Sequence, residues 1–285
     1  MKVGSILLIV ICLYILHPVG SIQESTESDS TLPTLAWASN HTYYPFSEFS
    51  PMVHNGVVCR YNNRGLALLD IETGEEIWNE RLITNMVPFI DCEHVYYVDK
   101  MLFGGFSKLN CYSTTENAMV WTLRIPGRPT FSPVVVDEKM VLTTGAHSEI
   151  VGSDPIQENC VICVNKYTGE RYWKFEGEGK MNCAPCVADN TVYASSSEGM
   201  LYAIDLERGD LLWEYETGTS LYLAKTPMVY EDRVYFVCDT LYCLDLNGTV
   251  LWKSPLQFNQ KVWASNHRLY TIEDDDAVGV DIETG

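Results

Sequence analysis

The chain has 285 residues, with 19 Lys+Arg against 38 Asp+Glu, a formal net charge of −19, and 46 % hydrophobic residues. That is enough apolar material for a substantial core, which excludes a disordered chain. So acidic a surface repels phosphates, which argues against nucleic acid and anionic membranes as partners.

The first residues read as a targeting segment. Lys2 precedes an apolar run from Ile6 to Leu16, followed by His17, Pro18 and the small residues Gly20 and Ser21. A short positive start, about 7–15 apolar residues and a small-residue end describe a secretory signal. The run is shorter than the roughly 20 apolar residues of a membrane-spanning helix, so a cleaved signal over residues 1–21 is preferred to an uncleaved anchor. Cys12 sits inside the apolar run, the wrong place for a lipidated cysteine. Residues 22–33 (IQESTESDSTLP) are a flexible polar leader. No second apolar stretch follows. The expectation is a secreted or periplasmic protein with no membrane insertion after signal cleavage.

Residues 34–285 are one repeat copied along the chain. Five segments align on their tryptophans: LALLDIETGEEIW to Trp78, LNCYSTTENAMVW to Trp121, VICVNKYTGERYW to Trp173, LYAIDLERGDLLW to Trp213 and LYCLDLNGTVLW to Trp252. The steps between them are 43, 52, 40 and 39 residues. Four residues before each Trp stands Gly74, Asn117, Gly169, Gly209 or Gly248, residue types that accept a positive φ. Asp70, Ser113, Asn165, Asp205 and Asp245 lie just upstream, where short polar side chains hydrogen-bond a turn backbone. Each segment is therefore strand, tight turn, strand.

A second strand pair precedes each hairpin: SPMVHNGVVCRY (50–61), VPFIDCEHVYYV (87–98), SPVVVDEKMVLTTG (132–145), APCVADNTVYASSSEG (184–199) and TPMVYEDRVYFVC (226–238). Proline opens each pair, as it must avoid mid-strand ladder positions. Four antiparallel strands recurring about every 40 residues are the blades of an all-β propeller. A single blade cannot cover both its apolar faces, so the recurring Trp is read as inter-blade packing. The alternative, a ligand-stacking Trp, does not call for a copy in every blade.

At the C-terminal end GVDIETG (279–285) places Asp281 and Gly285 in the Asp and Gly positions of a further repeat. Trp37 precedes Pro51 at an interval close to those of Trp121–Pro133, Trp173–Pro185 and Trp213–Pro227. The expectation is six blades, the last completed by an N-terminal strand over 35–43. The alternative is a fragment of a seven- or eight-bladed propeller.

The pattern small–apolar–Asp–x–x–x–Gly–x–x–x–Trp resembles the pyrroloquinoline-quinone-like repeat of the quinoprotein alcohol-dehydrogenase-like propellers, with 201–213 and 66–78 the nearest matches. The resemblance spans roughly residues 35–285 and specifies architecture rather than function. It implies one possible chemistry, a quinone-dependent dehydrogenase with a Trp floor, a calcium ion, an Asp base and an adjacent Cys–Cys pair. This chain has no adjacent cysteines, and no GxSxG, HExxH or P-loop stands in it. The family's non-catalytic members include an outer-membrane assembly lipoprotein and stress-sensor luminal domains. The expectation is a non-enzymatic protein-interaction scaffold with no cofactor and a protein partner. The alternatives are a quinone-dependent dehydrogenase and a polysaccharide-binding module.

Other features carry competing readings. CVIC (160–163) and CAPC (183–186) have a zinc-ribbon-like spacing. However, strand alternation points Cys160 and Cys163 to opposite faces, which favours a disulfide among Cys160, Cys163, Cys183 and Cys186, or buried thiols. Cys238 and Cys243 form a further candidate pair across a hairpin. The acidic run Glu273–Asp276 is a calcium ligand set or, preferably, a solvated turn. His41, His54, His94, His147 and His267 are scattered and form no ligand pair. The excess length of the third repeat, 146–159, is a partner-contacting loop or a tolerated insertion. Asn40 and Asn247 head glycosylation sequons.

Overall fold

The computed structural model describes residues 51–285 apart from 55, 63–64, 82–85, 92, 101–105, 128, 130, 146–158, 221–223, 255–261 and 274–275. The signal segment, the leader, Trp37, Asn40, the strand expected over 35–43 and the insertion 146–158 thus lie outside the described residues. Among the described residues no helix is long and apolar enough to cross a membrane.

The described residues form six antiparallel sheets in strict chain order. The first contains β1 (Met52–His54), β2 (Val57–Asn62), β3 (Gly65–Asp70) and β4 (Glu76–Arg81). The second contains β5 (Phe89–Ile90), β6 (His94–Lys100), β7 (Phe106–Ser113) and β8 (Ala118–Pro126). The third contains β9 (Val134–Val136), β10 (Lys139–Thr144), β11 (Cys160–Asn165) and β12 (Arg171–Glu176). The fourth contains β13 (Cys186–Ala188), β14 (Thr191–Ser195), β15 (Met200–Asp205) and β16 (Leu211–Glu216). The fifth contains β17 (Met228–Tyr230), β18 (Arg233–Val237), β19 (Leu241–Asp245) and β20 (Val250–Lys253). The sixth has three strands, β21 (Trp263–Ser265), β22 (Arg268–Glu273) and β23 (Asp276–Asp281). Each sheet is a meander of neighbours in sequence, the blade pattern expected from the repeat.

The hairpin turns form for the local reason the repeat suggested. The Asp70 carboxylate accepts the backbone N–H groups of Glu72 and Thr73 at 3.0 and 2.8 Å. Asp205 does the same for Glu207 and Arg208 at 3.0 and 2.8 Å, and Asp281 for Glu283 and Thr284 at 2.9 and 3.1 Å. Gly74, Gly169, Gly209, Gly248 and Gly285 hold φ between 69° and 86°. Asn117 takes the same conformation at 53°.

The core lies between sheets. One row of cross-strand partners faces forward from each sheet: Met228, Tyr235, Cys243 and Trp252 in the fifth, for example. That row packs with Ala264, Leu269, Val280 and Ile282 of the sixth sheet. Four other clusters join the remaining consecutive pairs in the same way. Strands buried on both faces explain the near-continuous apolar runs of β11 and β15.

The tryptophans close these seams. Each indole covers the turn glycine of the following sheet, and its N–H donates to a carbonyl of that turn. Trp121 donates to Lys166 at 2.9 Å, Trp173 to Leu206 at 2.8 Å, Trp213 to Leu246 at 2.8 Å and Trp252 to Ile282 at 2.9 Å. The seats are Gly169, Gly209, Gly248 and Gly285, where an added Cβ would lie 2.6–2.7 Å from the ring. The first seam differs: Trp78 stacks on Tyr112 at 4.2 Å between ring centroids, and Asn117 stands where the other turns have glycine.

Glycine at 209 thus answers two demands at once, a left-handed backbone and contact with the Trp173 ring. Gly209→Ala is expected to destabilise by about 2–4 kcal/mol, combining roughly 1–2 for the conformation with displacement of a packed ring. Gly218→Ala shares the conformation, with φ +77° and nothing within 4 Å, so only the smaller cost of about 1–2 kcal/mol is expected there. Urea unfolding of both variants separates the two contributions; equal losses would refute the seat.

Candidate interaction surface

Among the described residues the repeat tryptophans are committed to the seams, so exposed chemistry must come from elsewhere. The outer strand of each four-stranded sheet supplies it. In every one the register shifts by one residue just before the tryptophan. Leu68 pairs with Trp78 and Leu69 with Glu76, so Ile77 is bulged out. The same shift leaves out Val120, Tyr172, Leu212 and Leu251. A bulge turns the strand and directs the extra side chain away from the ladder. All five side chains are large and apolar, and their exposure runs from 38 % at Ile77 to 50 % at Leu251. Met119 and Leu211, one residue earlier, are exposed as well. One apolar side chain per outer edge, at one register position, is a periodic surface.

The turn-bearing ends of the sheets are charged and cross-linked. Lys139 at the start of β10 contacts Glu207 in the next sheet's turn at 3.0 Å and Glu138 at 3.2 Å. The Glu207 hydrogen bond raises the Lys139 ammonium above the ordinary lysine range. Arg233 at the start of β18 meets Glu283 of the sixth sheet at 2.8 Å and donates to the Ile282 carbonyl. Lys166 lies 3.5 Å from Asp91 of the preceding sheet. A cleft of about 290 Å³ opens between the third and fourth sheets, with Val136, Val187 and Leu206 beside Lys139 and Glu207.

The cysteines occupy the seams rather than a shared site. Cys160 faces the cluster between the second and third sheets, and Cys163 the cluster between the third and fourth. Cys238 and Cys243 face different seams too. The candidate disulfides among Cys160, Cys163, Cys183 and Cys186, and between Cys238 and Cys243, are not formed. Separate partners hold several of them. Cys160 lies 3.1 Å from the Thr144 hydroxyl, Cys183 3.1 Å from the Ser195 hydroxyl, and Cys238 3.2 Å from the Thr219 carbonyl. The split of Cys160 and Cys163 across two seams also keeps a four-sulfur zinc set from converging.

The remaining sequence candidates are dispersed. His94 sits 3.4 Å from Asp91, and His267 2.8 Å from Glu231. Glu273 and Asp276 pair across the last hairpin, while Asp274 and Asp275 lie outside the described residues. Asn247 is exposed in the turn between β19 and β20. The sequence reading missed two features, the bulges and the inter-sheet ion pairs. Both had a signal in the repeat alignment: an apolar residue directly before four of the five tryptophans and an aromatic before the other, and a cation opening β10 and β18.

Four-stranded meanders in chain order, with an Asp-capped turn and an indole at each seam, make this chain a β-propeller whose blades resemble pyrroloquinoline-quinone-like repeats. The family model PQQ_2, described as outer membrane protein assembly factor BamB, matches residues 155–278. The outer membrane protein assembly factor BamB of Moranella endobia (strain PCIT) is 23 % identical over 267 residues, covering 84 % of this chain and 66 % of that protein. The chain spans about two thirds of the length of such relatives. The crystal structure of BamB from Moraxella catarrhalis aligns with a TM-score of 0.58 and 18 % identity over 80 % of this chain and 67 % of that one. Quinohemoprotein alcohol dehydrogenase from Comamonas testosteroni aligns with a TM-score of 0.65 and 13 % identity over 82 % of this chain and 57 % of that one. These solved structures share the fold.

Burial pushes the Cys59, Cys111 and Cys163 thiols up to about 12. The native state then holds these protons more tightly than the unfolded chain does, so the contribution is full below the ordinary thiol range. It is lost as pH climbs from there toward 12. The urea midpoint is expected to fall between about pH 8.5 and about pH 11, less steeply in Cys163→Ala, where Ala203 shows that alanine fits the row. An unchanged slope in the variant would contradict this.

Proposed function

We propose that the chain is a non-enzymatic scaffold that binds protein partners in a secreted or periplasmic compartment. The observation that carries this reading is the apolar side chain at the bulge of every four-stranded sheet's outer edge. Large exposed apolar side chains at one register position on successive outer edges offer a protein partner a regular set of anchors. The commitment of the described repeat tryptophans to the seams supports a non-enzymatic reading, because an indole seated on a neighbouring turn is not offered to a flat cofactor. The likeness to proteins named outer membrane protein assembly factors points the same way, toward polypeptides as the molecules recognised.

The test combines Tyr172→Asp, Leu212→Asp and Leu251→Asp in one variant. Because these side chains are bulged out of the ladder, the melting temperature is expected to stay within a few degrees of the parent. Affinity capture from the native extracytoplasmic fraction, read by mass spectrometry, is expected to recover a partner with the parent and to lose it with the variant. Equal recovery by both would refute the surface. Dye reduction with alcohols in the presence of the quinone and calcium would refute the non-enzymatic reading.

A further inference from the structure

The turns built on glycine differ in length. Asp70 to Gly74, Asn165 to Gly169, Asp205 to Gly209 and Asp281 to Gly285 each span four steps, and the glycine N–H returns to the capping residue's carbonyl at 2.8–3.0 Å. Asp245 to Gly248 spans three, with the corresponding bond at 3.1 Å. In the longer turns the threonine before the glycine is engaged. The Thr73 and Thr284 hydroxyls bond the capping carboxylate at 3.0 and 3.3 Å, and the Thr168 hydroxyl accepts the Glu170 N–H at 3.2 Å. In the short turn Asn247 stands before the glycine and Thr249 after it, and only their backbone N–H groups reach Asp245, at 2.9 and 2.8 Å. Both residues are exposed. Among the described residues no hydrogen bond uses the Asn247 amide or the Thr249 hydroxyl.

Asn247 is also released from the seam. The second residue after the cap meets the preceding sheet elsewhere: Tyr167 packs edge-on against His94 at 6.3 Å between ring centroids, and Glu207 and Glu283 pair with Lys139 and Arg233. Asn247 holds that place in the fifth sheet. Thr191 opens β14 where Lys139 opens β10 and Arg233 opens β18, and no hydrogen bond or ion pair joins it to Asn247.

We propose that Asn247 is a site of N-linked glycosylation. Asn247-Gly248-Thr249 sets an amide two residues before a hydroxyl with no proline between them, and the modification is bulky and needs an exposed place. In the transfer Nδ2 of Asn247 bonds to C1 of the first sugar of a lipid-pyrophosphate-linked oligosaccharide. The C1–O bond breaks, the pyrophosphate leaves with its electron pair, and the amide gives up one proton. No hydrogen bond of the fold is lost, because none uses this side chain. Asn165 shows the contrast: its side chain caps its own turn, accepting the N–H groups of Tyr167 and Thr168 at 2.9 and 3.0 Å, and no hydroxyl stands two residues on. Gly248, at φ +86° under the Trp213 ring, fixes the backbone beside Asn247. The proposal rests on the export of the chain read from residues 1–21, since the donor lipid serves exported chains.

The test expresses the full chain in insect cells, as it stands and with residues 1–21 replaced by a signal known to direct export. The tryptic peptide 234–253 is read by mass spectrometry before and after peptide N-glycosidase in heavy-oxygen water. Both forms are expected to carry a glycan on this peptide, seen after the enzyme as conversion of its sequon asparagine to a labelled aspartate. Asn247→Gln and Thr249→Val are expected to lose it, and Thr249→Ser to keep it, which separates loss of the acceptor from a folding defect. A glycan on the form with the replaced signal alone supports the site and overturns the export reading instead. Peptide 234–253 recovered wholly unmodified from both forms would overturn the proposal.

Discussion

The structure depends on one contact, repeated: an indole laid on the turn glycine of the next sheet, with its N–H bonded to a carbonyl of that turn. An antiparallel sheet of four short strands has two apolar faces and no means of covering both. Sheet-to-sheet packing supplies burial, but apolar faces alone are non-directional and leave the register between sheets free. The indole removes that freedom. Its N–H has one partner and its ring has one seat, and the seat exists only where the backbone is left-handed and the side chain is absent. The aspartate that caps the turn holds the seat in shape. The ion pairs from Lys139 and Arg233 tie the same turns to the same preceding sheets.

Much of this was legible in the sequence, because the constraint recurs and a recurring constraint leaves a period. The Asp, Gly and Trp positions place the turns and outer strands. The second meaning of glycine was not legible. Gly209 reads as a turn residue, and only the fold brings it to Trp173, a residue of the previous repeat. The bulge before each tryptophan was hidden for another reason. It is a register shift between two strands, and a register is a property of a pair. The cysteines show the limit of spacing arguments. CVIC and CAPC look like a site, but strand alternation sends their sulfurs into different seams, as Cys160 and Cys163 show. A pattern two residues long cannot reveal which neighbouring sheet each face will meet.

The surface follows from the same economy. The forward rows of the first five sheets pack into seams. Exposed apolar side chains stand where the repeat pushes them out of its own ladder, at Ile77, Val120, Tyr172, Leu212 and Leu251. These are outer-edge positions, where the strand also leaves ladder groups unpaired, and a bulge there discourages indiscriminate strand pairing while offering an apolar contact. Acidity at the turns keeps such a surface from non-specific association with other acidic molecules.

The departure at the first seam has its own consequence. The third, fourth and fifth sheets each both donate an indole and provide a glycine seat, so any of those three could follow another. Recombination that duplicated or deleted one of them would regenerate a fitting joint. The second unit lacks the seat and meets its predecessor through Tyr112 instead. Among the described sheets this joint is thus of a different kind, and a unit taken from the third to fifth positions would not reproduce it.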